Sequence, residues 1–203
     1  MIKRLGIFGG TFDPIHMGHL LVAEMARQEC DLDKVLFIPA ANPPHKSDKH
    51  VSPPNYRFEM TELAIKSNPY FQISDIELKR QGKSYTIDTL KDLRKIYSEE
   101  CEFWMIVGGD SFRELDTWRN AKELIKLCNF AVYMRPHVSI DTCKIQAEKI
   151  HGQANSRVLF VEAPMIDISS TDIRDRVAQG KSIRYMVPDA VRKYIIEKRL
   201  FKS

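Results

Sequence analysis

Apolar and polar positions follow a strand-like period in some parts of the chain and a helix-like period in others. Continuous apolar runs occur in "RLGIFGG", "KVLFIPA", "EFWMIVGGD", "NFAVYMRP" and "RVLFVEAP", whereas "YFQISDIEL" (70–78) alternates. Continuous runs are typical of parallel strands that are covered on both faces. These six segments are therefore predicted strands, and the first is expected to leave the core at Phe8.

Segments with helical spacing separate the predicted strands. They lie at 19–29, 56–67, 86–97, 111–128, between the last two strands, at 168–182 and at 187–201. Pro54 and Pro188 are placed to open two of them, and the 111–128 segment is expected to break near Trp118. In "ISSTDIRDRVAQGKS", Ser170 or Thr171 is the predicted N-cap, with Gly180 just past the helix end.

Alternating strands and helices of this kind predict an α/β fold with a mostly parallel sheet and helices on both faces. No internal repeat, low-complexity segment or clear boundary divides the 203 residues, so a single domain over 1–203 is expected. The residues from about 170 to 203 are predicted to form a small helical subregion at the C-terminal end.

Composition narrows the class of protein only slightly. The net charge of +4 is mild and by itself fits an anionic small-molecule ligand as well as nucleic acid. The sequence contains no block of five like charges, so a basic arm is not expected, and no nucleic-acid partner is predicted. The four cysteines lack C-x-x-C spacing, and neither a secretory signal nor an 18-residue apolar run occurs. We therefore expect free thiols, no membrane span and a cytoplasmic location.

The segment "ANPPHKSDKHVSPPN" holds four prolines, so it is predicted to be neither helix nor central strand. A loop of this length in a compact domain is usually functional or mobile. Whether the 40–54 loop is ordered without a ligand is left open by the sequence.

The stretch "FGGTFDPIHMGH" follows the first strand, at the sheet edge where parallel α/β proteins bind ligands. Gly9 and Gly10 allow the backbone to approach a ligand, and the following helix start offers N–H groups to an anion. A purely structural interpretation of His16 and His19 is that one caps the helix and the other is a half-buried surface histidine. A metal would need more ligands than the sequence offers nearby, so no metal site is predicted and phosphate contact is favoured.

Two common nucleotide-binding patterns do not fit. A dinucleotide fold would need G-x-G-x-x-G, but Gly6, Gly9 and Gly10 have other spacing, and no acid ends the second strand. The P-loop pattern is also absent. In "ISSTDIR", however, three hydroxyl residues precede Arg174 at a predicted helix start, which suggests a second phosphate cradle beyond simple capping.

Together, "GGTFDPIHMGH" and "ISSTDIR" resemble the paired signatures of the nucleotidyltransferase family that makes dinucleotide cofactors, G-x-F-x-P-x-[HT]-x-G-H and I-S-S-T-x-[IV]-R. His16, "IPAANPPHK", "SYTIDTL", "VGGD", "TW" and "YMVPDAVRKYI" are similar to the bacterial nicotinate mononucleotide adenylyltransferases. The similarity runs from about Lys3 to Leu200. "VGGD" for the commoner "IGAD", and histidine for glycine in "MRPH", leave local loop shape uncertain.

The resemblance implies a Rossmann-like nucleotidyltransferase fold and transfer of AMP from ATP to nicotinate mononucleotide, giving deamido-NAD and pyrophosphate. It also implies Mg²⁺ carried mainly by ATP phosphates and water. By resemblance, the catalytic residues are His16, His19, Lys46 and Arg174; the ATP-binding residues are Gly9, Gly10, Thr11, Phe12, His16, His19, Gly108, Asp110, Ser169, Ser170, Thr171 and Arg174; and the residues binding the mononucleotide are Thr86, Trp118, Lys46 and Asp110.

Several alternatives stay open at this stage. Lys46 could be an exposed lysine, Asp110 an N-cap, and Trp118 a core residue, although the break in helical spacing favours a pocket. The acceptor could be nicotinamide mononucleotide or pantetheine phosphate. A nucleotide-binding regulator without turnover is the alternative from another class, and a homo-oligomer is possible.

Overall fold

The computed structural model describes residues 2–43, 51–134, 139–164 and 166–202. Six strands form one sheet in the order β3-β2-β1-β4-β5-β6, and every pairing between these described strands is parallel. The strands are β1 (Arg4–Gly10), β2 (Lys34–Pro39), β3 (Phe71–Ile73), β4 (Glu102–Gly108), β5 (Asn129–Tyr133) and β6 (Val158–Val161). The predicted fold class is confirmed, with a fully parallel sheet in place of a mostly parallel one.

Helices cover both faces of this sheet because neighbouring strand residues point to opposite sides. Ile7 and Leu36 belong to one apolar cluster with Leu90, whereas Phe8 and Phe37 belong to the other. The helices are α1 (Met17–Glu29), α2 (Pro54–Ile65), α3 (Thr86–Ile96), α4 (Gly109–Arg113), α5 (Ala121–Leu124), α6 (Ile140–Gln153), α7 (Ser170–Ala178) and α8 (Asp189–Glu197), with a 3-10 helix at Leu115–Thr117.

Two predicted strands have different lengths in the structure. β1 continues past Phe8 to Gly10, because Gly9 and Gly10 still pair with β2. The strand predicted over 70–78 is wrong beyond Ile73, where turns follow. There the Ser74 hydroxyl accepts a hydrogen bond from the N–H two residues on, a local contact that competes with strand pairing.

The segment predicted as helical over 111–128 breaks near Trp118, as expected, but into three short pieces rather than two. Asn120 lies in the left-handed region, with φ of 53°, and this ends helical geometry between the 3-10 helix and α5. Asp110 is not the N-cap suggested for this segment. Gly108 takes that position. Asp110 lies in the first turn of α4, where the helix dipole stabilises a carboxylate.

The N-terminus of α7 is also shifted from the prediction. Ser169 is the N-cap, instead of Ser170 or Thr171, and its hydroxyl accepts a hydrogen bond from the Asp172 N–H at 3.0 Å. Gly180 follows the helix end with φ of 68° and donates its N–H to Val177, as predicted.

The C-terminal helices contribute to the main core. Ile173 of α7 and Val191 and Ile195 of α8 are buried in the same cluster as Phe8 and Phe37. Within the described residues, no helix is both long and apolar enough to cross a bilayer. The four cysteines are free, as expected, and all four are buried.

Candidate active site

The strand order reverses between β1 and β4, which lie side by side at the centre of the sheet. In open parallel sheets, the crevice beyond the carboxyl ends at such a reversal is where ligands bind. The residues after β1 are Thr11–His16, and those after β4 begin α4 at Gly109. The N-terminal motif after β1 and the "VGGD" segment at the end of β4, both predicted to bind nucleotide, therefore flank this crevice.

The two histidines form a stacked pair at the start of α1. His16 is the N-cap and His19 is the third helical residue. Their ring centroids are 3.7 Å apart at an interplanar angle of 26°. The His16 N–H donates to Nδ1 of His19 at 3.3 Å. Since Nδ1 accepts this hydrogen bond, neutral His19 carries its proton on Nε2, which makes that atom a donor.

Aromatic residues beneath the pair fix the His19 ring. Phe12 meets it edge-on at 5.1 Å, and Phe8 lies at 6.1 Å. The Phe12 side chain is buried, at 2% exposure, and its backbone adopts φ of 48°. Phe12 was predicted to bind ATP; its ring packs in the core against His19, which leaves its backbone as the part that could face a ligand.

The two glycines that end β1 differ in their surroundings. A Cβ on Gly9 would meet no atom within 4 Å, whereas a Cβ on Gly10 would lie 2.8 Å from the Phe12 ring. Gly10 is therefore required by the fold. Gly9 borders open space at the carboxyl edge of the sheet, where a ligand could approach its backbone. The adjacent Thr11 is half-buried.

Direct hydrogen bonds join the C-terminal motif to the N-terminal motif. Arg174 donates from Nη1 to the Asp13 carbonyl at 2.7 Å, and the Ser170 hydroxyl donates to the Pro14 carbonyl at 2.9 Å. Arg174 also donates to the Thr171 hydroxyl at 3.2 Å. The structure thus brings together Arg174, the hydroxyl residues and the histidine turn, as the sequence predicted.

The far side of the crevice holds Gly108 and Asp110. A Cβ on Gly108 would lie 2.6 Å from Oδ1 of Asp110 and would also meet the Tyr133 ring, so only glycine fits there. The carboxylate of Asp110 therefore folds back over the end of β4. This places an acid just after β4, the strand that lies beside β1 at the switch point.

Thr86 and Trp118 occupy a separate region around α3. Thr86 is the first residue of α3 and is half-buried, after the N-cap Tyr85. Trp118 is also half-buried, packs against the apolar cluster on that face, and ends the 3-10 helix. The Arg119 guanidinium, next to Trp118, lies 4.5 Å from the Tyr85 ring centroid. The two predicted pyridine-binding segments are therefore neighbours.

Sequence reasoning missed one buried polar residue, Arg57 on α2, which is 1% exposed. Its three donor nitrogens bind carbonyls of three separate segments. Burial lowers the pKa of Arg57, while Asp13 and Glu77 act in the opposite direction. An arginine within a helical segment gives no sequence signal for such a role.

Two other predictions concern metal binding and the proline-rich loop. Among the described residues, no group of three or more histidine, cysteine, aspartate or glutamate side chains is arranged to hold a metal ion. Lys46 lies outside the described residues, as does the whole 44–50 part of the 40–54 loop.

Comparison with known proteins decides the family. The cytidylyltransferase-like family model matches residues 7–176. A relative from Thermoanaerobacter sp. (strain X514), named "Probable nicotinate-nucleotide adenylyltransferase", is 47% identical over 98% of this chain and 95% of its own. The chain belongs to the nicotinate-nucleotide adenylyltransferases.

Other members of that family agree in length and fold. A relative of the same name from Desulfitobacterium hafniense (strain DSM 10664 / DCB-2) is 44% identical over 98% of this chain and 96% of its own. A structure of Plasmodium falciparum nicotinic acid mononucleotide adenylyltransferase complexed with NaAD has a TM-score of 0.79. It covers 98% of this chain and 97% of its own at 20% identity, which supports the fold.

Proposed function

We infer that this enzyme transfers AMP from ATP to nicotinate mononucleotide, forming deamido-NAD and pyrophosphate in NAD biosynthesis. The hydrogen bond between Arg174 and the Asp13 carbonyl carries this inference, because it joins both signature motifs at the sheet's switch point. Full-length relatives of the same activity class support the choice of substrates.

The reaction needs positioning and charge stabilisation more than proton transfer. The phosphate of the mononucleotide attacks the α-phosphorus of ATP in line, and a new P–O bond forms as the bond to the β-phosphate oxygen breaks. Pyrophosphate leaves with that electron pair. Because the attacking phosphate is ionised near neutral pH, no side chain has to act as a general base.

The His16–His19 pair and the start of α1 form the donor group for the ATP phosphates. Nε2–H of His19 is one donor, and the Gly18 N–H in the first turn is another. The neighbouring Met17 and His19 N–H groups donate to the Met186 and His16 carbonyls. Gly9 leaves space for the phosphates beside the sheet edge. We assign these donors to the negative charge that grows in the transition state.

Arg174 and the start of α7 form the second donor group, for the β- and γ-phosphates. The Ser169 and Thr171 hydroxyls each accept one hydrogen bond and retain a proton to donate. Ser170 differs, because its hydroxyl proton goes to the Pro14 carbonyl. We therefore assign Ser170 to holding the two motifs together, a change from its predicted role in ATP binding.

Thr86 and Trp118 are assigned to the pyridine of the mononucleotide. The Thr86 hydroxyl and the N–H groups at the start of α3 suit a carboxylate, and the Trp118 ring suits a pyridinium face. Asp110 and Lys46 are assigned to the nucleotides, and Gly108, Thr11 and the Phe12 backbone to the ATP side. Mg²⁺ enters as part of the MgATP substrate, with phosphate and water oxygens as its main ligands.

A pyrophosphate-release assay with purified enzyme, MgATP and one acceptor at a time tests this function. Nicotinate mononucleotide should give the highest kcat/KM, and nicotinamide mononucleotide and pantetheine phosphate much lower values. Equal rates with the amidated acceptor would remove the assigned selectivity. ATP binding without product from any acceptor would instead favour a nucleotide-binding regulator.

The free buried cysteines support a cytoplasmic location.

A further inference from the structure

Arg57 makes an unusual set of contacts for a fully buried arginine. From the first turns of α2, it donates from Nε to the Ser52 carbonyl at 2.9 Å, from Nη1 to the Thr11 carbonyl at 2.8 Å and from Nη2 to the Ala41 carbonyl at 3.2 Å. Each acceptor is a backbone carbonyl in a different segment. The guanidinium thus joins the turn after β1, the segment after β2 and the segment before α2.

The Thr11 contact leads to the phosphate side of the site. Thr11 is two residues before Asp13, whose carbonyl holds Arg174 at 2.7 Å. The Asp13 carboxylate also accepts a hydrogen bond from the Ser52 N–H at 3.1 Å. Arg57 and Asp13 therefore both bind Ser52, and the turn that carries the histidines is fixed from two directions.

The Ala41 contact leads to the pyridine side. The next residue, Asn42, is joined to Ser84 by two hydrogen bonds: the Ser84 N–H donates to the Asn42 carbonyl at 3.0 Å, and the Asn42 N–H donates to the Ser84 hydroxyl at 3.2 Å. Ser84 lies two residues before Thr86. One guanidinium is thus linked, through short backbone segments, to both substrate subsites.

The chemistry of these contacts requires arginine. Three carbonyls at three angles match the planar fork of guanidinium donors, which an ammonium group cannot reproduce. The charge is offset at a distance by Asp13 and Glu77, both buried at under 10% exposure. A buried charge of this kind is costly unless it is hydrogen-bonded, so the guanidinium needs these three carbonyls. Removing the Arg57 side chain would take a hydrogen-bond donor away from all three segments and should disturb each of them.

We propose that Arg57 is a positioning residue that holds the ATP phosphate site and the pyridine site at the spacing needed for in-line attack. This role rests on the adenylyltransferase function inferred above. Because Arg57 fixes the relative position of two substrates, its loss should lower kcat more than it raises either KM. A displacement of about 1 Å in such a site can reduce the rate about 100-fold.

The test compares Arg57→Ala and Arg57→Lys with a matched control, Arg94→Ala. Arg94 also donates to backbone carbonyls, of Ser98 and Cys101, and stacks on Phe103 with its guanidinium carbon 3.8 Å from the ring centroid. Its contacts lie at the opposite end of α3 from Thr86. Kinetic constants are measured per folded protein, well below each melting temperature, with and without millimolar ethylguanidinium.

Arg57→Ala should lose about 10- to 100-fold in kcat, and ethylguanidinium should restore a measurable part of it. Arg57→Lys should be intermediate, and it provides the test if the alanine variant does not fold. Arg94→Ala should lose thermal stability but keep kcat, without rescue. A folded Arg57 variant with the kcat of the unmodified enzyme would overturn the proposal. An inactive unmodified enzyme would instead overturn the proposed function.

Discussion

Substituting His19 with asparagine and with glutamine should separate the two tasks of this side chain. In His19→Asn, the side-chain oxygen lies near the position of Nδ1 and can still accept the His16 N–H, but nothing replaces Nε2. In His19→Gln, the amide reaches the Nε2 position and can donate there, but it gives up the acceptor at Nδ1. Both variants lose the edge contact with Phe12, so this loss cancels in the comparison.

The structure sets the size of each effect. The hydrogen bond from His16 N–H to His19 Nδ1 is 3.3 Å long, beyond the usual range, so its loss should cost near the low end for a helix cap, about 0.5 kcal/mol. At about 2–4 °C per kcal/mol for a chain of this length, His19→Gln should melt about 1–2 °C below His19→Asn. Losing a transition-state donor at Nε2 should lower kcat about 100- to 1000-fold in His19→Asn.

The assays are pyrophosphate release under saturating MgATP and nicotinate mononucleotide, and thermal unfolding followed by circular dichroism. His19→Gln should keep a clearly larger share of kcat than His19→Asn despite its lower melting temperature. If His19→Asn turned over at the rate of the unmodified enzyme, the assignment of Nε2 to the phosphates would fail. Equal losses of kcat in both variants would show that the ring as a whole, and not one nitrogen, is needed.

Three further outcomes are expected. Gly10→Ala should lose about 1–3 kcal/mol of stability and melt lower, because its Cβ meets the buried Phe12 ring, whereas Gly9→Ala should melt normally and raise the KM for ATP; a thermal scan and a steady-state assay distinguish them. Trp118→Ala should raise the KM for nicotinate mononucleotide much more than that for ATP, and equal increases would remove Trp118 from the pyridine site. Burial raises the pKa of Cys30 to about 11, so about one thiol in a thousand is ionised at pH 8; mass spectrometry should find it unmodified by iodoacetamide until the protein is denatured.

Local patterns predicted most of the fold. Strands and helices alternate as expected, and β2 and α3 begin at Lys34 and Thr86, within the segments that hydrophobic period indicated. Errors occurred where a local hydrogen bond or a single backbone angle interrupts a pattern, as after Ile73 and at Asn120. Hydrophobic periodicity predicts which face of a helix or strand is buried, but it does not predict where such an interruption occurs.

The candidate site was predicted in its parts and not in its connections. The sequence pointed to the histidine pair and to "ISSTDIR" as phosphate-binding features, and the structure joins them through Arg174 and Ser170. The core position of the Phe12 ring was not predicted. This position depends on the positive φ of Phe12 and on the packing of its ring against Phe8 of β1 and Phe37 of β2.

The sequence by itself determined the parallel α/β architecture, the two motifs proposed to bind phosphate and the position of Gly180 just past the end of α7, since these depend on neighbouring residues and on their hydrophobic period. Only the tertiary structure decided which donors meet which acceptors. The contacts of Arg57 with Thr11, of Ser170 with Pro14 and of Arg174 with Asp13 span 46, 156 and 161 residues. Such pairs form because the sheet brings distant segments to one edge, and the need to pair buried polar groups then selects their partners.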